Sequence, residues 1–275
     1  MQRKLHIGTV FAIVVVTFVA AGCDKLKARD LLNKGVNAYK GAQFDVAIED
    51  FKQAKELDPT LTNAQLYLAT AYASQYIPGA PSQENIRNGE QAITEFKAIL
   101  DKDPNNLSAL DGIGSILYNM AGTPFDASKM EESKTYHEKH ISLKNDDPEP
   151  YYWVGVIDWS LAYRGNKDAR EDYNSTAKKT IKDEDPMPPK VAADFGEKYG
   201  KTVDEGIDDL KKAIEIKPDY DDAMAYLNLL YRQKADMEAT PDARMADLKA
   251  ADDLVDKVKA IKQKKMENPQ PQPTS

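Results

Sequence analysis

Apolar positions along this chain fall into two kinds of stretch that follow one another. One kind is rich in apolar and small residues: "QLYLATAYA" (Gln65 to Ala73), "LDGIGSILY" (Leu110 to Tyr118), "YYWVGVIDW" (Tyr151 to Trp159) and "MAYLNLLYR" (Met224 to Arg232). The other kind is more charged and ends on proline: "DVAIEDFKQAKELDP" (Asp45 to Pro59), "QAITEFKAILDKDP" (Gln91 to Pro104) and "EGIDDLKKAIEIKP" (Glu205 to Pro218). Apolar residues three and four apart, closed by a breaker, predict amphipathic helices. The recurrence predicts an all-α chain built from repeated helical pairs.

Small residues set the register. Gly35, Ala69, Gly114, Gly155 and Asn228 occupy one site of the first helix, and Ala47, Ala92, Ser133, Gly206 and Ala251 one site of the second. Four residues beyond the latter stand Phe51, Phe96, His137, Leu210 and Val255. From 47 to 69, 92 to 114, 133 to 155 and 206 to 228 the separation is always 22 residues, which argues for one stacking geometry. Within the repeats the separations are 12, 23, 19, 51 and 23, so four repeats carry extra residues at the inner turn. These inserts hold breakers, as in "YIPGAPS", "AGTPFDAS", "DEDPMPPK" and "ATPDA", and would line up along one edge. At the third turn Asn145 stands where the other repeats have proline, and Pro148 comes three residues late.

These motifs resemble the tetratricopeptide repeat, TPR. The resemblance implies a right-handed superhelix of about five repeats, at about 28–61, 62–106, 107–147, 148–220 and 221–262, forming a solenoid over 29–262 with its long insert at 161–202. The five pairs are expected to make one stack. First helices of that family line a concave groove. Carried over residue by residue, the groove sites are Tyr39 and Lys40, Thr70 and Ser74, Tyr118 and Asn119, Tyr152 and Trp159, Arg232 and Gln233. The Lys and Asn clamp by which some TPR domains hold a terminal carboxylate is replaced by Leu32 and Val36.

The N-terminus changes the picture. Arg3 and Lys4 precede an uncharged run, Ile7 to Ala21, which predicts a signal peptide over 1–22. "VAAGC" (Val19 to Cys23) resembles the lipobox of bacterial lipoproteins, with Ala20 where leucine is usual. That resemblance implies acylation of Cys23, followed by a short tether over 23–28, and places the folded part in the periplasm of a bacterial envelope. Cys23 is the single cysteine, so no intramolecular disulfide forms.

Composition and chemistry narrow the function. With 37 basic and 45 acidic residues the net charge is −8, and no basic face for nucleic acid is expected. His137 and His140 share a helix face, but both fall at packing positions and HExxH spacing is absent, so no metal site is assigned. Phosphate loops, a nucleophile elbow and spare thiols are also missing, and neither catalysis nor a cofactor is expected. The reading is an envelope scaffold with a protein or peptide partner. Alternatives are a glycan- or small-molecule-binding lipoprotein, or an accessory of outer-membrane or pilus assembly. Residues 263–275 are expected to be a disordered tail.

Overall fold

The computed structural model describes residues 23–267. The expected signal peptide and the last eight residues of the expected tail lie outside this range. The described residues form helices and no strand. In order they are α1 (23–40), α2 (Phe44–Leu57), α3 (Thr62–Gln75), α4 (Gln83–Leu100), α5 (Leu107–Ala121), α6 (Ala127–Leu143), α7 (Pro148–Thr176), α8 (Pro189–Ile216), α9 (Asp221–Ala235) and α10 (Pro241–Glu267). The chain gathers into two compact units divided between Phe125 and Asp126, at the inner turn of the third repeat. The first unit holds α1 to α5 and the second α6 to α10.

Residues 23–28, expected as a tether, instead form the start of α1, and Ala28 is fully buried. The local sequence "DKLKAR" explains this, since Lys, Leu, Ala and Arg are all good helix formers and no breaker intervenes. At the other end α10 runs to Glu267, and Lys265 reaches back to the Asp221 carboxylate at 2.6 Å.

Packing follows the small and large sites. In the first unit the Phe51 ring lies against Gly35, where a Cβ would come within 2.5 Å of it, and stacks on Tyr67 of α3 at 5.5 Å. Phe96 of α4 packs forward instead, onto Gly112 of α5 in the next repeat, two residues before the expected small site at Gly114. In the second unit Leu210 packs on Gly155, while Gly206 is wedged between Asp158 of α7 and Leu230 of α9. Any larger residue at these glycines would push helices apart, at a cost of about 1–3 kcal/mol each. Asn228 is the exception among the small sites. It is only half-buried, and its side-chain oxygen accepts from Arg232 Nε at 3.0 Å.

Turn chemistry sets the helix ends. Ser82, Asn106, Asp126 and Asp147 each cap the helix that follows, accepting a backbone N–H with the side chain. Pro148 occupies the first turn of α7, where its missing N–H is no loss. The insert in the second repeat is pinned by Asn85, which is buried. Its Oδ1 accepts from Ile77 N at 2.7 Å, and its Nδ2 donates to the carbonyls of Ile77 and Ala80 at 2.8 and 3.0 Å. Replacing Asn85 with alanine is expected to lower the stability of the first unit by on the order of 2 kcal/mol, because three partners lose their bonds. Urea unfolding checks this, and an unchanged midpoint would refute it.

Segment 161–202 is shared between the two longest helices. α7 has 29 residues and α8 has 28, with a loop at 177–188 between them.

Candidate functional site: a groove on the first unit and an aromatic ladder on the second

In the first unit, α3 and α5 leave a groove of about 480 Å³ between them. α3 contributes Leu66, Thr70 and Ser74, one helical turn apart, and α5 contributes Gly112, Ser115 and Asn119. The hydroxyls of Thr70 and Ser74 donate to carbonyls one turn back, at 2.9 Å each. Tyr39 reaches in from α1, its hydroxyl 2.9 Å from Ser74 Oγ and its ring edge-on to Phe44. Thus the groove-facing residues of the first unit converge: Thr70, Ser74 and Asn119 line one concavity, and Tyr39 stands at its margin. Lys40 is exposed and Tyr118 half-buried, and neither is among the lining residues. The lining is uncharged, with Leu66, Phe96 and Ile116 as its apolar part and small side chains elsewhere, which leaves room for a partner's side chains.

The second unit treats its expected groove residues differently. Tyr152 packs its ring on Tyr220 and Tyr226, at 5.1 and 5.8 Å. Trp159 meets Tyr226 edge-on at 5.2 Å and stacks on Tyr163 at 5.2 Å. These rings form a ladder between α7 and α9, from buried Tyr220 to Tyr163, which is 48% exposed. Trp159 is half-buried and its indole nitrogen is sealed off without a hydrogen-bond acceptor. Tyr220 donates to Glu149 Oε2 at 2.7 Å, and burial together with that carboxylate drives its hydroxyl well above the ordinary phenol range. Tyr152 and Trp159 therefore join helices, and Tyr163 presents the open ring. Arg232 is also engaged within the unit, donating to Asp252 at 2.7 Å as well as to Asn228, and Gln233 is buried.

His137 and His140 are buried in α6, and the His137 ring stacks on Trp153 at 5.9 Å. Among the described residues no group of three or more His, Cys, Asp or Glu side chains is placed to hold a metal ion.

Two charge clusters of the second unit escaped the sequence reading. Lys134 of α6 donates to Asp158 of α7 at 2.8 Å, with Glu205 at 3.5 Å and Glu138 at 4.0 Å. Asp158 is fully buried, and burial pushes its carboxyl up to about 7 despite the lysine. Burial likewise raises Asp209 to about 6. The second cluster centres on Arg170, which is 4% exposed. Its Nε donates to Asn166 at 2.8 Å, Nη1 to the carbonyls of Lys182 and Asp185 at 2.7 and 3.0 Å, and Nη2 to Asp236 at 2.7 Å.

No family model matches this sequence, and no curated protein matches it. Solved structures do match. A crystal structure of MamA has a TM-score of 0.56 at 16% identity, covering 90% of this chain and 98% of that one. MamA 41-end from Desulfovibrio magneticus RS-1 gives 0.55 at 16% identity, over 86% and 96%. YrrB, described as a TPR protein with an unusual peptide-binding site, gives 0.51 at 14% identity, over 85% and 90%. The fold is that of the tetratricopeptide repeat. At these identities the likeness is one of fold. In TPR terms α1, α3, α5, α7 and α9 are first helices, and the first unit's groove lies between two of them. The TPR inserts at 76–82 and 177–188 are ordered elements, each held by a buried polar side chain of a neighbouring helix.

Proposed function

We propose that this chain is a lipid-anchored TPR scaffold of the bacterial envelope that binds a segment of another protein. The observation that carries the reading is the uncharged groove in which Thr70, Ser74 and Asn119 come together, with Tyr39 at its edge. Small hydroxyl and amide side chains over an apolar floor suit a peptide backbone together with modest side chains. YrrB, with a peptide-binding site on the same fold, supports a polypeptide ligand. The reading contains no catalytic step and needs no cofactor. The glycan alternative draws less support, because the Tyr152 and Trp159 rings pack against Tyr226.

The anchor rests on the signal-like pattern of 1–22 and on Cys23, which is exposed as a free thiol at the first turn of α1. Acyl chains at Cys23 would attach to the solenoid's first helix directly. Two tests separate the parts of the proposal. A photoreactive residue at position 119 should give protein adducts in intact envelopes that disappear when Ser115→Trp fills the groove; persistence of the same adducts would exclude that groove. Labelled palmitate should enter the wild type and not Cys23→Ser, and equal labelling would remove the anchor.

A further inference from the structure

A second concavity, on the second unit, belongs to none of the residues assigned above. It lies between the α7–α8 loop and the α9–α10 turn, measures about 360 Å³, and is lined by Pro186, Met187, Ala193, Met237, Pro241 and Met245 among others. Its floor is built: Met187, Ala192 and Phe195 form a buried cluster with Met237 against them. Its lip is open, with Met245 59% exposed. Both walls are fixed by one side chain. Arg170 holds the carbonyls of Lys182 and Asp185, next to Pro186 and Met187, and also Asp236, next to Met237. A preformed apolar pocket costs little ordering when filled, and methionine adapts its shape to what enters.

Charge indicates what kind of segment enters. The one cation of the lining, Arg244, points into the protein, toward Asp236 Oδ1 at 3.7 Å and the Glu184 carbonyl at 3.5 Å. The lining carboxylate Glu238 has no ion pair among the described residues. Behind it lie Asp247 and Asp204, and nearby Lys234 is bound to Asp204 at 2.7 Å. At this edge the three carboxylates Glu238, Asp247 and Asp204 outnumber the one ammonium, Lys234, that acts on them.

We propose that this pocket seats one large apolar side chain of a partner polypeptide, with a lysine or arginine beside it that pairs with Glu238. The inference concerns the second unit and does not rest on the groove of the first. The test uses the full chain and two fluorescein-labelled short peptides, one of leucine and lysine and one of leucine and glutamate, followed by anisotropy. The leucine–lysine peptide should bind at least about tenfold more tightly than its acidic counterpart, a difference of about 1.4 kcal/mol. Ala193→Trp, at an exposed position, changes no charge and should weaken that binding about tenfold or more. Glu238→Lys should erase the preference between the peptides. Met245→Ser, at the exposed lip, provides a second apolar test and should weaken binding in the same direction as Ala193→Trp. Ser115→Trp, in the first unit, should leave the binding as it was. Equal affinity for the two peptides, or binding undiminished by Ala193→Trp and Met245→Ser in chains of normal helicity, overturns the proposal.

Discussion

Arg170→Ala is expected to cost the second unit about 3–5 kcal/mol, the usual price of leaving a buried charge without its partner. Arg170 is 4% exposed and its guanidinium meets four acceptors: Asn166, two loop carbonyls and Asp236. After truncation, Asp236 keeps Asn166 Nδ2 at 2.9 Å and the more distant Arg244, and the Lys182 carbonyl keeps the Asp185 N–H at 3.1 Å, while the Asp185 carbonyl loses the guanidinium. Arg170→Lys should recover only part of the loss, since one ammonium cannot reproduce a planar fork that meets acceptors on three sides. Urea unfolding measures the change, and tryptic cleavage at Lys178, Lys179 and Lys182 reports the loop. A loss below about 1 kcal/mol in the alanine variant, with the loop still resistant, would show that apolar contacts hold it instead.

Lys134→Met should be of similar size near pH 8 and should shrink on acidification. Asp158 has a raised pKa, about 7 in the folded chain against an ordinary 3.8. Its folded form therefore holds a proton over a range where the unfolded chain has lost it. This group favours folding least above pH 7, and its cost is relieved as the pH falls from 7 toward 4. Burial is the main cause, with Lys134 opposing it and Asp209 and Glu205 adding to it. Asp209, raised to about 6, acts with the same sign. Removing the lysine leaves a fully buried carboxylate facing other carboxylates, and the expected loss is about 3–5 kcal/mol at pH 8. At pH 5 a protonated Asp158 no longer needs the ammonium, so wild type and variant should converge. Glu205 and Asp147 have lowered pKa values and work in the opposite sense, but their stabilisation is lost only at more acidic pH. Unfolding curves at pH 8 and pH 5 decide the matter: a penalty that stays constant, or grows on acidification, rules out this account of Asp158.

How far the sequence reveals this fold depends on which atoms do the holding. Gly35, Gly155 and Gly206 are readable because close helix packing demands small residues at a fixed register, and Phe51 and Leu210 because something large must fill what they leave. His137 reads correctly as a packing residue for the same reason, and it is fully buried. Asn85, Lys134 and Arg170 are not readable. On helices this charged, a polar residue looks like solvated surface, and the partners that bury it are loop carbonyls without side-chain signature or a carboxylate such as Asp236, 66 residues away. The groove divides in the same manner. Thr70, Ser74 and Asn119 come from neighbouring first helices in a regular stack, so their convergence follows from the repeat. Tyr152 and Trp159 satisfy the same register, but Tyr220, just before α9, and Tyr163, from the lengthened α7, supply rings that cover them. Lengthening a helix adds neighbours that no repeat pattern announces.

The Arg170 clasp also imposes an order in time. Ribosomes deliver a chain from its N-terminus, so α7, the loop at 177–188 and α8 all emerge before Asp236 exists. Until then Arg170 lacks its counter-ion Asp236, the residue that caps the end of α9, and the loop has only part of its final support. A chain arrested before Asp236 would carry a protease-accessible loop in its longest hairpin, whereas a chain extended through α9 closes it. Proteolysis of chains that end before and after Asp236 therefore reports how far the loop depends on that carboxylate.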